Sequence, residues 1–416
     1  MSRRDSMSGF TRRDVLTTAG SALMASLLLP KRAAAAVPRL RLTGFELLPV
    51  RATSRTVWLF VRLMTDAGLV GLGEASDAFG FANTTADDAA RMRRELQRFF
   101  ELIDGRSPFE IESYRQRGAP LARQGLVPAT AFSAVEQALW DLAGKALDVP
   151  TYVLLGGKVR TGLPVYANIN RATNPRTPDG FAAAARRAVA DGFTTIKAAP
   201  FDGFPPTGSP AVQIALAIET GIDSVRAMRE AVGPAVGIMI DCHSFFDVEQ
   251  SVAVADRLAP YDLTWFEEPV PPEKVDDTLA IKRRIKQPMA GGEVLFGLSG
   301  FGPLIRRHAV DTIMPDVKHC GGLLELTRIA AMAADEGVMV APHNPSGPVS
   351  TAASVQVCAG MKNVNYLELQ YGEVGWRSEV LVPPERFVDG TIEIPDRPGF
   401  GVALNQDVIR SRALAL

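Results

Sequence analysis

The chain is poor in cysteine: Cys242, Cys320 and Cys358 are the only three in 416 residues. They are too few and too scattered for a disulfide framework or a zinc site, and each reads as a packed thiol. An excess of charge of one sign is also missing. The formal net charge is −1, with no basic tract and no low-complexity run, which argues against nucleic acid as a partner. No G-x-G-x-x-G follows the first strand-like run of the longer repeating region, so a dinucleotide-binding fold has no positive support. The apolar run near the N-terminus, from about Val15 to Pro30, falls short of the about 20 residues that a bilayer span needs. What is plentiful is apolar residue: 47% of the chain, enough for two domains with a large core.

That N-terminal stretch has a different use. A paired Arg12-Arg13, the short apolar run and an alanine cluster ending near Ala36 are the three regions of an export signal. The double arginine resembles a twin-arginine signal, which exports folded proteins. A short membrane anchor is the alternative. The expected mature protein is soluble and periplasmic, with no stable membrane association after cleavage.

From Leu40 onward, "RLTGFELLPVRA" and "RTVWLFVRLMTDAGLVGLGEAS" read as strands, the second folded back at "TDAG". "TADDAARMRRELQRFFELIDGRSP" and "ATAFSAVEQALWDLAGKALDVP" then carry apolar residues at helical spacing. Strands followed by helices indicate a small α+β domain. Beyond "LLGGKVR" the rhythm changes to short strand-like runs: "LPVYANIN", "FTTIKAA", "AVGIMID", "LTWFE", "PMAGGE", "DTIMPD", "VMVAPH" and "NYLELQ". Helical segments such as "DGFAAAARRAVADG", "DSVRAMREAVG", "VEQSVAVADRLAPY" and "LLELTRIAAMAADEG" separate them. This alternation predicts a parallel (β/α) barrel; periodicity alone leaves an open doubly wound sheet as the alternative.

Seven of these runs end on chargeable residues: Lys197, Asp241, Glu267, Glu293, Asp316, His343 and, more loosely, Glu368. In a barrel the carboxyl ends of the strands share the face on which active sites are built. Asp241, Glu267 and Glu293 are successive carboxylates that repel one another unless a cation sits among them. An all-oxygen set favours Mg²⁺, with Mn²⁺ as the alternative ion. An ion-pair ring with barrel Arg and Lys residues is the bland alternative. His343 and Asp316 end neighbouring strands, and a carboxylate beside an imidazole makes it a general base. In "IMIDCHSFFD", Asp241 and His243 stand two apart, on one side of an extended chain.

The motifs "FEEP", "GGE", "PDVKHCGGLLE" and "PHNPSGP" resemble those of the enolase superfamily, mandelate racemase/muconate lactonizing enzyme family. The resemblance implies an α/β fold: a modified (β/α)7β barrel of TIM type with an N-terminal α+β capping domain. Residues 1–36 are then the export signal, 37–160 the cap, completed by 373–416, and 161–372 the barrel. It implies Asp241, Glu267 and Glu293 as ligands of Mg²⁺, and the His343–Asp316 pair as a base that takes a proton next to a carboxylate. Glu268 then lies behind its neighbour, outside the ligand set. Where relatives carry a second base after Lys197, this chain has Ala199, which moves no proton and disfavours a two-base racemase. The D-x-H at Asp241–His243 resembles the galactonate-dehydratase branch, in which that histidine protonates a departing hydroxyl.

The expected activity is dehydration of a sugar acid, aldonate or aldarate, to a 2-keto-3-deoxy acid. Lys197 and Glu368 are expected near the substrate carboxylate, Lys197 as positive charge and Glu368 as a hydrogen-bond partner. Two alternatives to those roles stay open: Lys197 paired only with the acids, and His243 bonded to a metal ligand without catalysing. For the whole protein the alternatives are an epimerase, a lactone cycloisomerase, or a periplasmic binding or sensing protein without turnover. The partner is a small-molecule sugar acid, and the chain is expected to form a homo-oligomer.

Overall fold

The computed structural model describes residues 37–80 and 84–414. The export signal expected in residues 1–36 lies outside them. Among the described residues no helix is long and apolar enough to cross a membrane.

The first strands form an antiparallel meander: β1 (Leu42–Arg51), β2 (Val57–Thr65) and β3 (Val70–Glu74). Helices Ala86–Phe100, Ile111–Ala122 and Leu126–Ala146 pack on one side of it around an apolar core of their own. The long helix lies against β3 so closely that the strand's glycines are obligatory. A Cβ on Gly71 would fall 2.2 Å from the Ala138 carbonyl oxygen, and one on Gly73 would fall 2.1 Å from that of Ala134. This is why the strand reads "VGLGE": only glycine permits that approach.

Eight parallel strands follow: β4 (Gly162–Asn168), β5 (Thr195–Ala198), β6 (Gly237–Asp241), β7 (Trp265–Glu267), β8 (Met289–Gly291), β9 (Thr312–Ile313), β10 (Met339–Val340) and β11 (Leu367–Gln370). Each pairs with the next from β4 to β10, and β11 pairs with β4. Val340 bridges Val364 just before β11, which closes the ring. Among the described residues seven α-helices lie in the connections between these strands, and the next α-helix, Gln406–Ser411, comes only at the end of the tail beyond β11, so the barrel is (β/α)7β. The eight strand-like runs of the sequence each hold one of these strands. Three barrel helices, Val275–Lys282, Gly297–Arg306 and Pro348–Cys358, were not among the segments named from the sequence. The first two are short, and the last is buried along its whole length, so its sequence shows little amphipathic pattern.

Period-two alternation fills the barrel interior in layers. Tyr166, Met239, Trp265, Ala290, Met314 and Ala341 form a buried apolar layer, with Tyr366 packed against it. Two residues further along their strands stand Asn168, Asp241, Glu267 and Glu368, so the polar layer sits directly on the apolar one. The meander's long helix also docks on the barrel. Glu136 accepts hydrogen bonds from Leu323 N (2.7 Å) and Leu324 N (3.0 Å), and so caps the barrel helix Gly322–Asp335. Beyond β11 the chain pairs Thr391–Glu393 antiparallel with β4, and its last described residues lie beside β1, where Leu414 N donates to Pro49 O (3.0 Å).

Candidate active site

The polar layer of the barrel opens into a cavity of about 360 Å³ under the meander's turns. Asp241, Lys197, His243, Glu268, Glu293 and His343 all line it. Asp241, Glu267 and Glu293 bring one ligand atom each within 4.8 Å of one another. They stand on β6, on β7 and two residues past β8, where the strand ends converge.

Lys197 is the buried counter-charge of this cluster. Its Nζ lies 2.8 Å from Glu267, 3.0 Å from Glu368 and 3.5 Å from Asp241. One ammonium does not balance the group. Burial, and then the charge of Asp241, push the Glu267 carboxyl well above the usual range despite Lys197. Burial and then Glu293 raise Glu268 to about 8. Such an excess of converging carboxylate oxygen fits a hard divalent cation. Glu268 itself accepts from Gly292 N at Oε2 (2.8 Å) and stays out of the converging triad.

Two histidines flank the cluster in matching fashion. His343 donates from Nδ1 to Asp316 (2.8 Å), and its Nε2 lies 3.1 Å from Glu293. His243 donates from Nδ1 to Asp202 (2.5 Å), and its Nε2 lies 3.1 Å from Asp241. Each ring is thus oriented by one carboxylate and faces a member of the triad with its other nitrogen. Burial opposes the charge of His343, but Glu293, Glu368 and Asp316 outweigh it and raise its pKa to about 9. For His243 the opposing burial is outweighed by Asp241 and Asp202, and the imidazolium is held well above its ordinary range.

The juxtaposition of Asp241 and His243 does not come from strand alternation. β6 stops at Asp241, and His243 and Ser244 take left-handed backbone, at φ 45° and 59°. His243 N donates back to Asp241 Oδ1 (3.0 Å). A turn therefore brings the two together, in a conformation uncommon for residues other than glycine.

Glu368 reaches the cluster but not the cavity wall. Its carboxylate is wholly buried, accepting from Asn168 Nδ2 (2.7 Å) and Asn344 N (2.9 Å) as well as pairing with Lys197. In this geometry its contacts are with protein groups, and the expected hydrogen bond to a substrate carboxylate has no observation to carry it. Lys197 and Glu368 together form the floor under the triad.

Two members of the site escaped sequence reasoning. Asp202, four residues past the end of β5, orients His243 from 41 positions away. Asn170 Nδ2 (2.9 Å) and Arg176 Nη2 (3.2 Å) hold it in turn. Lys318 is wholly buried, with Nζ 2.5 Å from Asp316 Oδ2, and keeps that carboxylate ionised against its burial. The signals were present, an acid in a strand-end loop and a lysine inside "PDVKHCGG", but neither fell on a strand terminus.

With this geometry in view, the chain matches two family models. "Mandelate racemase / muconate lactonizing enzyme, N-terminal domain" covers residues 44–156, and "Enolase C-terminal domain-like" covers residues 180–408. It is 33% identical over 364 residues to D-xylonate dehydratase of Haloferax volcanii, spanning 85% of each chain. It is 31% identical to D-galactarolactone cycloisomerase of Agrobacterium fabrum, over 88% of this chain and 94% of that one. D-galactonate dehydratase of Xanthomonas campestris pv. campestris is 30% identical, over 85% and 90%. Among solved structures, a mandelate racemase/muconate lactonizing enzyme from Jannaschia sp. CCS1 superposes with a TM-score of 0.78 at 27% identity, covering 90% of this chain and 98% of that one.

Proposed function

The chain belongs to the mandelate racemase/muconate lactonizing enzyme family of the enolase superfamily, and from that premise we propose that it removes water from a sugar acid. The product is a 2-keto-3-deoxy acid. The observation that carries the reading is the matched pair of histidines, His343 and His243, each oriented by a carboxylate and each facing the triad. Dehydration needs a base at the α-carbon and an acid at the β-hydroxyl, and the site has one imidazole for each. The relatives named as xylonate and galactonate dehydratases support the same chemistry.

Asp241, Glu267 and Glu293 would hold a divalent cation, Mg²⁺ or Mn²⁺. When bound, such a cation supplies Lewis-acid stabilisation of the charge that builds on a substrate carboxylate. His343 takes the α-proton on Nε2 while Asp316 receives its Nδ1–H and holds the tautomer. Lys318 keeps Asp316 anionic throughout. His243 gives its Nε2 proton to the β-hydroxyl, and Asp202 steadies the ring as that proton leaves. Ala199, buried at the end of β5, offers no second base, so the α-proton is handled by His343 alone.

The test is turnover of a panel of aldonates and aldarates with Mg²⁺, read as 2-keto acid formation. Lactone opening or epimer formation without loss of water would favour the cycloisomerase or epimerase reading, to which the Agrobacterium relative lends weight. Binding without any turnover would favour a sensing role. The twin-arginine export of the mature enzyme to the periplasm belongs to the same proposal. Active protein in the cytoplasmic fraction alone would remove it.

A sharper test addresses His243. His243→Asn lowers dehydration by about 10²–10⁴-fold, the usual worth of general-acid help, while α-proton exchange with solvent deuterium continues. A substrate carrying fluoride at the β-carbon recovers much of the lost rate, because fluoride leaves with less protonation. Equal loss of exchange and dehydration, without rescue, would leave His243 as a structural neighbour of Asp241.

A further inference from the structure

Three permanent cations line the cavity: Lys197, Arg171 and Arg55. Two of them are neutralised within the protein. Lys197 is shared among Asp241, Glu267 and Glu368. Arg171 bridges Asp77 (3.1 Å) and Glu373 (3.2 Å). Arg55 differs. Among the described residues its guanidinium has no ion pair or hydrogen bond, although its backbone is anchored. Arg55 N donates to Thr53 Oγ1 (3.1 Å), and its carbonyl accepts from Thr84 N (3.3 Å).

Among the described residues no acid pairs with Arg55. Asp77 serves Arg171 and Ser346, and Glu373 serves Arg171 and Thr56. Glu273, an exposed carboxylate lining the same cavity, makes no ion pair with it. Another cation feels the charge of Arg55. Arg176 lies below its ordinary range through burial, opposed by Asp202 and reinforced by Arg55. A guanidinium at a cavity wall with no ion pair among the described residues is a site short of an anion.

We propose that Arg55, on the turn between β1 and β2, is a second anion subsite that takes the end of the substrate remote from the triad. This rests on the sugar-acid reading above and narrows it. The preferred substrates then carry charge at both ends: one carboxylate at the triad, and a terminal carboxylate or phosphate monoester at Arg55. A neutral terminal CH₂OH leaves Arg55 without a partner of full charge.

The experiment compares kcat/KM, with Mg²⁺, for stereochemically matched aldarates, aldonates and 6-phosphoaldonates, in the native protein, Arg55→Met and Arg55→Lys. The native enzyme favours one of the doubly charged classes over the aldonate, and the favoured class tells carboxylate from phosphate. Arg55→Met lowers that preference by about 10²-fold, chiefly through KM, as expected for losing a charge-assisted hydrogen bond. Arg55→Lys restores part of it. Equal turnover of charged and uncharged ends by the native enzyme, or equal losses on all classes in Arg55→Met, overturns the subsite. If no sugar acid is turned over, the reaction itself has been misread. Calorimetric binding of the same three classes to the Mg²⁺-loaded protein then still decides the subsite. Preference for the doubly charged ligands that vanishes in Arg55→Met upholds it, and indifference removes it.

Discussion

His343→Asn abolishes exchange of the substrate α-proton with solvent deuterium and lowers dehydration by about 10⁴-fold, the upper end of what a positioned general base contributes. Asn keeps a polar group near Asp316 and Glu293 but accepts no proton at neutral pH. The effect is large because the other imidazoles of the described cavity are engaged differently: His243 is held as imidazolium by Asp241 and Asp202, and His319 bonds Thr130 and is pushed down to about 4 by burial. Ala199 occupies the place where a second base could project, and Lys197 is buried among three carboxylates that raise its affinity for its proton. Mass spectrometry of recovered substrate after incubation in D₂O reads the exchange directly. Exchange persisting at near the native rate would show another base and end the single-base account. The double replacement of His343 and Asp316 should add little to the single loss, since Asp316 acts through the ring it orients.

Glu293→Gln removes Mg²⁺-dependent turnover together with Mg²⁺ affinity. The loss of affinity should exceed the about 10–100-fold that removing an outer partner of a metal ligand costs, because Glu293 is one of only three converging carboxylates. The metal-free fold should not suffer. Asp241, Glu267 and Glu268 crowd Glu293 with like charge, so neutralising it relieves repulsion that offsets the lost contact with His343 Nε2 (3.1 Å). The expected result is thus a metal-free melting temperature unchanged or raised, with the stabilisation by added Mg²⁺ largely gone. Calorimetric titration and thermal melts with and without Mg²⁺ read both. Full activity after exhaustive chelation, or unchanged Mg²⁺ affinity in the variant, would remove the metal from the mechanism.

Much of this protein could be read from its sequence because barrel strands write their geometry locally. Each of the eight short apolar runs became a strand, and alternation placed Asp241 and Glu267 one pleat above Met239 and Trp265. Converging strand ends then put the three carboxylates and the His343–Asp316 pair on one face, and the cluster is legible in the sequence. The bonding partners of Glu368 were not decided at that level. Its inward position was expected, but its oxygens are taken by Asn168, Asn344 and Lys197, partners that pair with it only when the barrel closes.

What tertiary structure alone decided are contacts between segments far apart in the chain. Asp202 meets His243 because a loop past β5 folds over the left-handed turn after β6, and no period in either segment encodes that. One local exception is Lys318, which holds Asp316 from two residues away through a tight turn past β9 that no strand or helix period encodes. Arg55 reaches the cavity because the long helix Leu126–Ala146 docks its domain onto the barrel, with Glu136 capping a barrel helix across the junction. Strand and helix periods report which face of an element is apolar, and so they specify architecture and strand-end chemistry. They carry no information about which loop crosses which, and in this protein it is the loops that orient the acid and line the far wall of the cavity.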